Sequence, residues 1–484
     1  MSERGKLEEP DLLISRAFVG GEWIAGDGKP IEVDDPYTLE PITEVPGLGK
    51  DATGRAIEAA SEAFPKWAAM PARERGAILR KWFELVDQHA EDIARIMVRE
   101  NGKALADARA EVAYGNGFVH FFAEEATRTL GEVIPAPQEG RRILATREPV
   151  GVCAVITPWN FPLAMLTRKV GAGLAAGCTI VAKPASQTPL TALAFATLGE
   201  EAGLPKGVFN VITGSAGPIG EAMTGSMTVR KLSFTGSTEV GVKLYEACAK
   251  TMKRISLELG GNAPLIVFDD ADLEVAVETA KVAKFRNSGQ TCVAANRLYV
   301  QSGILDRFLD AFGKIVGETR AGDGFDESSD IGPMIDDKGK AKVLEHRQQA
   351  LNAGARAVAG GGELDGRLVC PTLLADVPPD AQLAREETFG PLAGVIAFDT
   401  FEDAVRLAND SPFGLAAYFC SQDPQTIARA GRQIESGMVG INTGLVSTPY
   451  APFGGVKMSG LGREGSHHGI EEYLNVKYLC EANL

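Results

Sequence analysis

Paired cysteines, metal-spaced histidines, long apolar runs and an excess of positive charge are all missing from this 484-residue chain. Its seven cysteines are odd in number and form no CxxC pair, so neither a disulfide framework nor a zinc site is indicated. The five histidines offer no HExxH arrangement, and adjacent His467 and His468 read as surface, so no metal is expected. No run of about 18 apolar residues occurs, and the opening MSERGKLEEPD lacks the apolar core of a signal peptide. A cytoplasmic protein with no membrane partner is the expectation. The formal net charge of -15 argues against a nucleic-acid partner, because phosphate binding needs clustered Lys and Arg; a local basic pocket for a small anion remains open.

What is present is ordinary for a folded protein: 45% hydrophobic and 23% charged residues, on a chain long enough for two or three domains. Phe18 to Trp23 read as a strand and turn, and Asp34-Asp35-Pro36 as a loop. From Asp51 to about His120 apolar residues recur at helical spacing. The pattern breaks near Gly131, and Arg141 to Arg147 alternates as a half-exposed strand would, which suggests a hairpin excursion that meets another subunit. From Val150 to about Phe268 short apolar runs (VCAVI, TIVAK, VFNVI, KLSF, LIVF) alternate with helices such as Leu190 to Ala202. A second series follows from about Asp272 to Asn442, and a glycine-rich loop, short helix and last strand close the chain. Such alternation implies mostly parallel sheets covered on both faces, with ligands at the carboxyl ends of the strands. The fold class is α/β.

The loops at the strand ends carry the chemistry. In KFRNSGQTC, Cys292 follows Ser288, Gly289, Gln290 and Thr291, which break helical periodicity and can aim backbone N–H groups at a thiolate or an oxyanion. The other cysteines sit mostly in apolar runs, as buried free cysteines do; the loop by itself fits a reactive thiol and an ordinary one equally. Asn160, between prolines in TPWNFP, serves as a helix N-cap or as an oxyanion donor. Lys183 and Ser186 in KPAS offer an ammonium and a hydroxyl to a nucleotide ribose or its phosphate, a solvated lysine being the plainer alternative. Thr235-Gly236-Ser237-Thr238 is a strand-to-helix turn suited to a pyrophosphate. Glu258, in an apolar segment beside two glycines, gains the pKa of a general base if buried. Glu387 and Phe389 in EETFGP supply a carboxylate for ribose hydroxyls and an aromatic to hold a flat ring.

PWNFP, ELGG, GQTC and EETFGP, in this order and at these separations, resemble the aldehyde dehydrogenase superfamily over nearly the whole chain. The resemblance implies a Rossmann-like dinucleotide-binding domain (1–127 and 149–258), a second α/β catalytic domain (259–450), and a small β oligomerisation arm (128–148 and 451–484) of a homodimer or homotetramer. It implies Cys292 as nucleophile, Glu258 as general base, and Asn160 with the Cys292 backbone N–H as oxyanion hole, with Lys169 near the active site. Lys183 and Ser186 would contact the adenosine ribose, Gly236 and Ser237 the pyrophosphate, and Glu387 and Phe389 the nicotinamide riboside; Trp159 and Leu259 would complete the cofactor site. Many NAD-using members have Glu where Ser186 stands, a charge that repels a 2′-phosphate. NADP is therefore expected in preference to NAD.

KFRNSGQTC, TRKVGAGLAAGC and PFGGVKMSGLGREGSHHGIEEYLNVKY are more narrowly similar to the succinate-semialdehyde dehydrogenase branch. In that branch two arginines and a serine hold the substrate's distal carboxylate, and they match Arg168, Arg286 and Ser447. Each arginine alone would read as solvated; two beside one site suit a small semialdehyde with a terminal carboxylate. Ala294 stands where some relatives carry a second cysteine, so no regulatory disulfide is expected. The alternatives are glutaric or 2-oxoglutaric semialdehyde as substrate, a general aldehyde dehydrogenase, and, from another class, a cysteine-dependent esterase, for which the nucleotide loops would be idle.

Overall fold

The computed structural model describes residues 4–26 and 28–483. Helices Lys50–Ala69, Ala72–Gln88, Ala90–Asn101 and Leu105–Glu125 fill the stretch whose apolar spacing is helical. They cover one sheet of eight strands, in spatial order Glu22–Ile24, Ala17–Val19, Phe209–Val211, Thr179–Lys183, Val152–Ile156, Val229–Thr235, Arg254–Glu258 and Gly460–Leu461. The five strands from Phe209–Val211 to Arg254–Glu258 are parallel. Most of their residues are buried, polar ones such as Asn210, Lys231 and Ser233 included, because helices lie on both faces. Trp82 stacks on Phe195 at 4.0 Å within the core of the helical layer.

The chain leaves Val152–Ile156 in one direction, through Thr179–Lys183 to Phe209–Val211, then restarts on the other side with Val229–Thr235. That reversal opens a crevice at the carboxyl ends of Val152–Ile156 and Val229–Thr235, the place where doubly wound sheets take ligands.

The second sheet has seven strands: Arg356–Gly360, Thr372–Ala375, Leu392–Phe398, Ala295–Gln301, Ala263–Val267, Ala416–Cys420 and Met438–Ile441, all parallel except the first. LIVF, which the pattern assigns to the first series, belongs here instead: Leu265 pairs with Leu298 and Tyr418. The strand that completes the first sheet is Arg254–Glu258, whose polar flanks hide it in the sequence. Only four residues, Leu259–Asn262, carry the chain from the first sheet into the second, with no change of composition to mark the crossing; it returns later through residues 442–459 to Gly460–Leu461.

This short link turns the carboxyl edge of the first sheet toward the amino edge of the second. The second sheet therefore contributes loops that precede strands: Asn262 before Ala263–Val267, Cys292 before Ala295–Gln301, and Glu387 and Phe389 before Leu392–Phe398. The expectation that functional loops follow strands holds for the first sheet only.

Glu132–Ile134, Arg141–Pro149 and Leu474–Ala482 form a separate antiparallel sheet, leaving Leu130, Val133 and Tyr478 exposed. The rest of the tail departs from the expected arm: Val456–Lys457 pairs with Phe413–Gly414, and Gly460–Leu461 extends the first sheet. Among the described residues no helix is long and apolar enough to cross a membrane.

Candidate active site

Helix Leu273–Phe285 ends in a turn where Asn287, Ser288 and Gly289 take φ of 53°, 57° and 72° in succession. For the two non-glycine residues such left-handed backbone costs about 1–3 kcal/mol each. Buried hydrogen bonds offset it. The Asn287 backbone N–H donates to Asp107 at 2.8 Å, Ser288 Oγ donates to the Gly332 carbonyl at 2.9 Å, and Gln290 Nε2 to that of Pro333 at 3.2 Å. The turn delivers Cys292 half-buried between the two sheets. A Cβ on Gly261 would stand 2.6 Å from the Cys292 carbonyl oxygen, so only glycine allows the link between the sheets to pass this close.

Burial pushes the Cys292 thiol up to about 12; Glu387 and Glu258 add to the shift, and Arg168 and Arg286 oppose it. The thiol thus holds its proton at neutral pH, and a thiolate nucleophile requires a base at the moment of attack. Glu258, at the end of Arg254–Glu258, is buried with both carboxylate oxygens unpartnered. Burial first, and the charge of Glu464 second, raise its pKa well above the ordinary range against the pull of Lys169, Arg168 and Arg463. Asn160 is not a helix cap, since the following helix begins at Ala164. Its Nδ2 donates to the Gln290 carbonyl at 3.0 Å, which leaves a second N–H free beside the thiol loop. Lys169 is not at the thiol: its ammonium is buried, pairs with Glu464 and donates to Ser233 Oγ at 3.2 Å. It acts on the site through Glu464, the neighbour of Glu258.

A cleft of about 280 Å³ opens at the crevice of the first sheet and reaches Cys292. Trp159, Asn160, Gly236, Ser237, Leu259, Glu387 and Phe389, all singled out in the sequence, line it. Two of its walls are aromatic, Trp159 and Phe389 meeting edge to face at 5.5 Å. Helix Thr238–Ala249 starts there with no side chain capping it, and the buried hydroxyls of Thr235 and Thr238 have no partner. An uncapped helix start beside orphaned hydroxyls fits a pyrophosphate. Burial pushes Glu387 up to about 7, against the Gly261 N–H it accepts at 3.3 Å and the charges of Lys342 and Lys284. Lys183 and Ser186 lie outside this lining, one strand farther along the same edge. Lys183 donates to the Pro184 carbonyl at 2.9 Å, and half-buried Ser186 donates to that of Gly214 at 3.4 Å.

On the opposite side of Cys292 a second pocket gathers Arg168, Arg286 and Ser447, which the sequence scatters over 279 positions (447 − 168). Arg168 is 1% exposed, donates through Nη2 to the Tyr114 hydroxyl at 2.6 Å, places Nη1 3.5 Å from Glu464 Oε2 in an ion pair, and leaves Nε without a hydrogen-bond partner. Its guanidinium lies 4.3 Å from the centre of the Phe453 ring, and that of Arg286 5.3 Å from that of Phe161. Tyr114, Phe161, Phe453 and, at the cleft, Lys342 are lining residues that the sequence did not reveal. Tyr114 had a faint signal, sharing a helix face with Glu111 and Phe118; Lys342 had none.

A half-buried thiol between a nucleotide-sized cleft and a cationic pocket, with a buried carboxylate at hand, defines a dinucleotide-dependent oxidoreductase working through a covalent cysteine. The aldehyde dehydrogenase family model matches residues 23–479, and the chain belongs to that family. It is 53% identical to the NADP(+)-dependent succinate-semialdehyde dehydrogenase GabD of Escherichia coli K12, across 98% of this chain and 99% of that one. It is 52% identical to a glutarate-semialdehyde dehydrogenase of Pseudomonas putida, across 98% and 99%. A crystal structure of an E. coli NADP-dependent enzyme superposes with a TM-score of 0.98 at 52% identity, covering 99% of this chain and all of the other.

Proposed function

We propose that the protein oxidises a short aldehyde bearing a terminal carboxylate, succinic semialdehyde first, to the diacid, with NADP used in preference to NAD. The observation that carries this reading is one pocket that gathers Arg286, Ser447 and Cys292 with buried Arg168, whose Nε has no hydrogen-bond partner. Buried donors left open cost about 1–3 kcal/mol each, and a carboxylate ligand removes that cost with fork geometry. The name of the E. coli relative supports the same substrate, and that of the Pseudomonas relative makes glutaric semialdehyde the neighbouring candidate.

The residues divide the chemistry as follows. Arg168, Arg286 and Ser447 hold the distal carboxylate and so fix the aldehyde carbon at Cys292. Glu258, a stronger base than an ordinary carboxylate, takes the thiol proton as sulfur attacks. The free Asn160 N–H and the Cys292 backbone N–H hold the resulting oxyanion. The dinucleotide, bound in the cleft, supplies the acceptor for the hydride that leaves this carbon. Cys292 is then a thioester; Glu258, having passed the thiol proton to solvent, removes a proton from the water that hydrolyses it and returns that proton to the sulfur as the acid leaves.

Cofactor preference follows from charge. Ser186 puts no carboxylate near the ribose, and burial holds the Lys183 ammonium down to about 8, so that an arriving 2′-phosphate would restore its full charge. A homodimer or homotetramer joined through the exposed apolar arm completes the proposal; light scattering of the purified protein reads the stoichiometry. The central test mixes the protein with NADP or NAD and with propanal, succinic semialdehyde or glutaric semialdehyde, following the reduced cofactor. A carboxylate-bearing aldehyde with NADP should be fastest, and Cys292→Ser should remove the activity. Equal rates with propanal would sink the role of the arginines, and a strong preference for NAD would sink that of Ser186.

A further inference from the structure

The wall behind Asn160 is built from buried polar groups whose hydrogen bonds hold the backbone of 159–164 and meet at the Asn160 and Gln290 carbonyls. Lys103 Nζ donates to the Asn160 carbonyl at 2.8 Å while paired with Glu111. Asn287 Nδ2 donates to the same carbonyl at 3.0 Å and to that of Gln290 at 3.2 Å. Asn160 Nδ2 returns to the Gln290 carbonyl at 3.0 Å. Glu111 Oε1 accepts the Leu163 and Ala164 N–H groups at 3.0 and 3.2 Å, fixing the start of the helix that carries Arg168. One residue upstream, Asn101 Nδ2 donates to the Trp159 carbonyl at 2.9 Å.

Asn160 and the thiol loop come from different sheets and are 132 positions apart (292 − 160), so no local turn sets the distance between them. The Asn287 amide is the bridge, and Lys103 with Glu111 is its foundation. From this lattice we infer that Lys103 and Asn287 are positioning residues, which hold the Asn160 amide where the oxyanion forms. The inference rests on the proposal that Asn160 stabilises that oxyanion. It adds which groups set the position of the amide, an effect to which rates are sensitive because a displacement of about 1 Å costs on the order of a hundredfold.

The test compares reactions of Cys292 that need an oxyanion hole with one that does not. Turnover of the semialdehyde and nucleotide-independent hydrolysis of p-nitrophenyl acetate both form a tetrahedral oxyanion; alkylation of the thiol by iodoacetamide forms none. Asn287→Gly keeps the left-handed backbone and deletes the bridge. Lys103→Met combined with Glu111→Gln deletes the ammonium without stranding a charge and retains the acceptor for Leu163 and Ala164. Each variant should lower kcat and ester hydrolysis on the order of tenfold to a hundredfold, with alkylation rate and NADP affinity unchanged.

In an Asn160→Ala background the same changes should add nothing further. Full additivity there, or a parallel fall in alkylation, overturns the assignment of Lys103 and Asn287 and leaves Asn160 its role. Asn160→Ala at full speed overturns the oxyanion role itself, and the positioning with it. A variant that does not fold is replaced by Asn287→Asp, which keeps size and backbone preference while removing the donor; unchanged ester hydrolysis in that protein also overturns the assignment.

Discussion

Lys103 and Lys284 are equally buried, at 1% exposure, and both lie under loops of the same site. Lys103 donates to Glu111 and to the Asn160 carbonyl, whereas Lys284 Nζ has no hydrogen-bond partner. Burial pushes Lys284 down to about 7, with the charge of Glu387 pulling the other way. The contrast extends to their surroundings. On the Asn160 side every side-chain donor that fixes the backbone is engaged, while the Oδ1 atoms of Asn101 and Asn287 accept nothing. Around Cys292 stand open groups: both oxygens of Glu258 and Nε of Arg168, whose Nη1 meets Glu464 Oε2 only at 3.5 Å. The donors whose task is to hold the backbone are engaged, and groups that exchange a proton or meet a ligand are left available. Unpaired burial is costly in general, which is why such orphans cluster where function requires them.

Four substitutions would break or sharpen this contrast. Glu258→Gln removes an open group with a chemical task; turnover should fall on the order of a hundredfold to ten-thousandfold, and rapid-mixing experiments should show the first turnover slowed as well, because the same carboxylate deprotonates the thiol. Lys103→Met alone breaks the engaged side and strands the Glu111 carboxylate, costing about 3–5 kcal/mol of stability in a denaturant titration. Arg168→Met should lower kcat/KM for succinic semialdehyde about tenfold to a hundredfold and spare propanal, which steady-state kinetics would read.

Lys284→Met should have the smallest effect and the opposite sign. Removing an unpartnered buried amine should stabilise the fold by about 1–3 kcal/mol. The pH dependence has a definite direction. The unfolded lysine keeps its proton up to about 10.5, and the folded one gives it up near 7, so the cost of burial grows as pH falls through that window and is complete below it. Thermal melts of Lys284→Met against the parent should therefore show a larger gain at pH 7 than at pH 10. A loss at both would mean that Lys284 has a stabilising partner in solution.

Much of the site was legible because its residues travel in short motifs that end strands or open loops: PWNFP, ELGG and EETFGP line one cleft together, and GQTC meets it. What resisted was the relation between segments. Arg254–Glu258 escaped notice because a strand flanked by Lys253 and Leu259-Gly260-Gly261 has no clean apolar run. Ala263–Val267 was attached to the wrong sheet because four residues are too few to look like a boundary. Glu464 contacts Lys169 across 295 positions, and Tyr114 contacts Arg168 across 54; periodicity within either segment reports only that one face is buried, not what it will meet. For the thiol, a glycine-bearing polar loop reveals possible donors and fits a reactive or an ordinary cysteine, but not that burial pushes Cys292 up.

The brevity of Leu259–Asn262 bears on how a dinucleotide enters and leaves. A four-residue strap cannot stretch beyond about 14 Å even when fully extended, and its first residue forms part of the cofactor's floor. The two sheets are leashed at the very point where the ligand lies and tied again by the return through residues 442–459, so any widening of the cleft during admission and release is bounded by two covalent crossings.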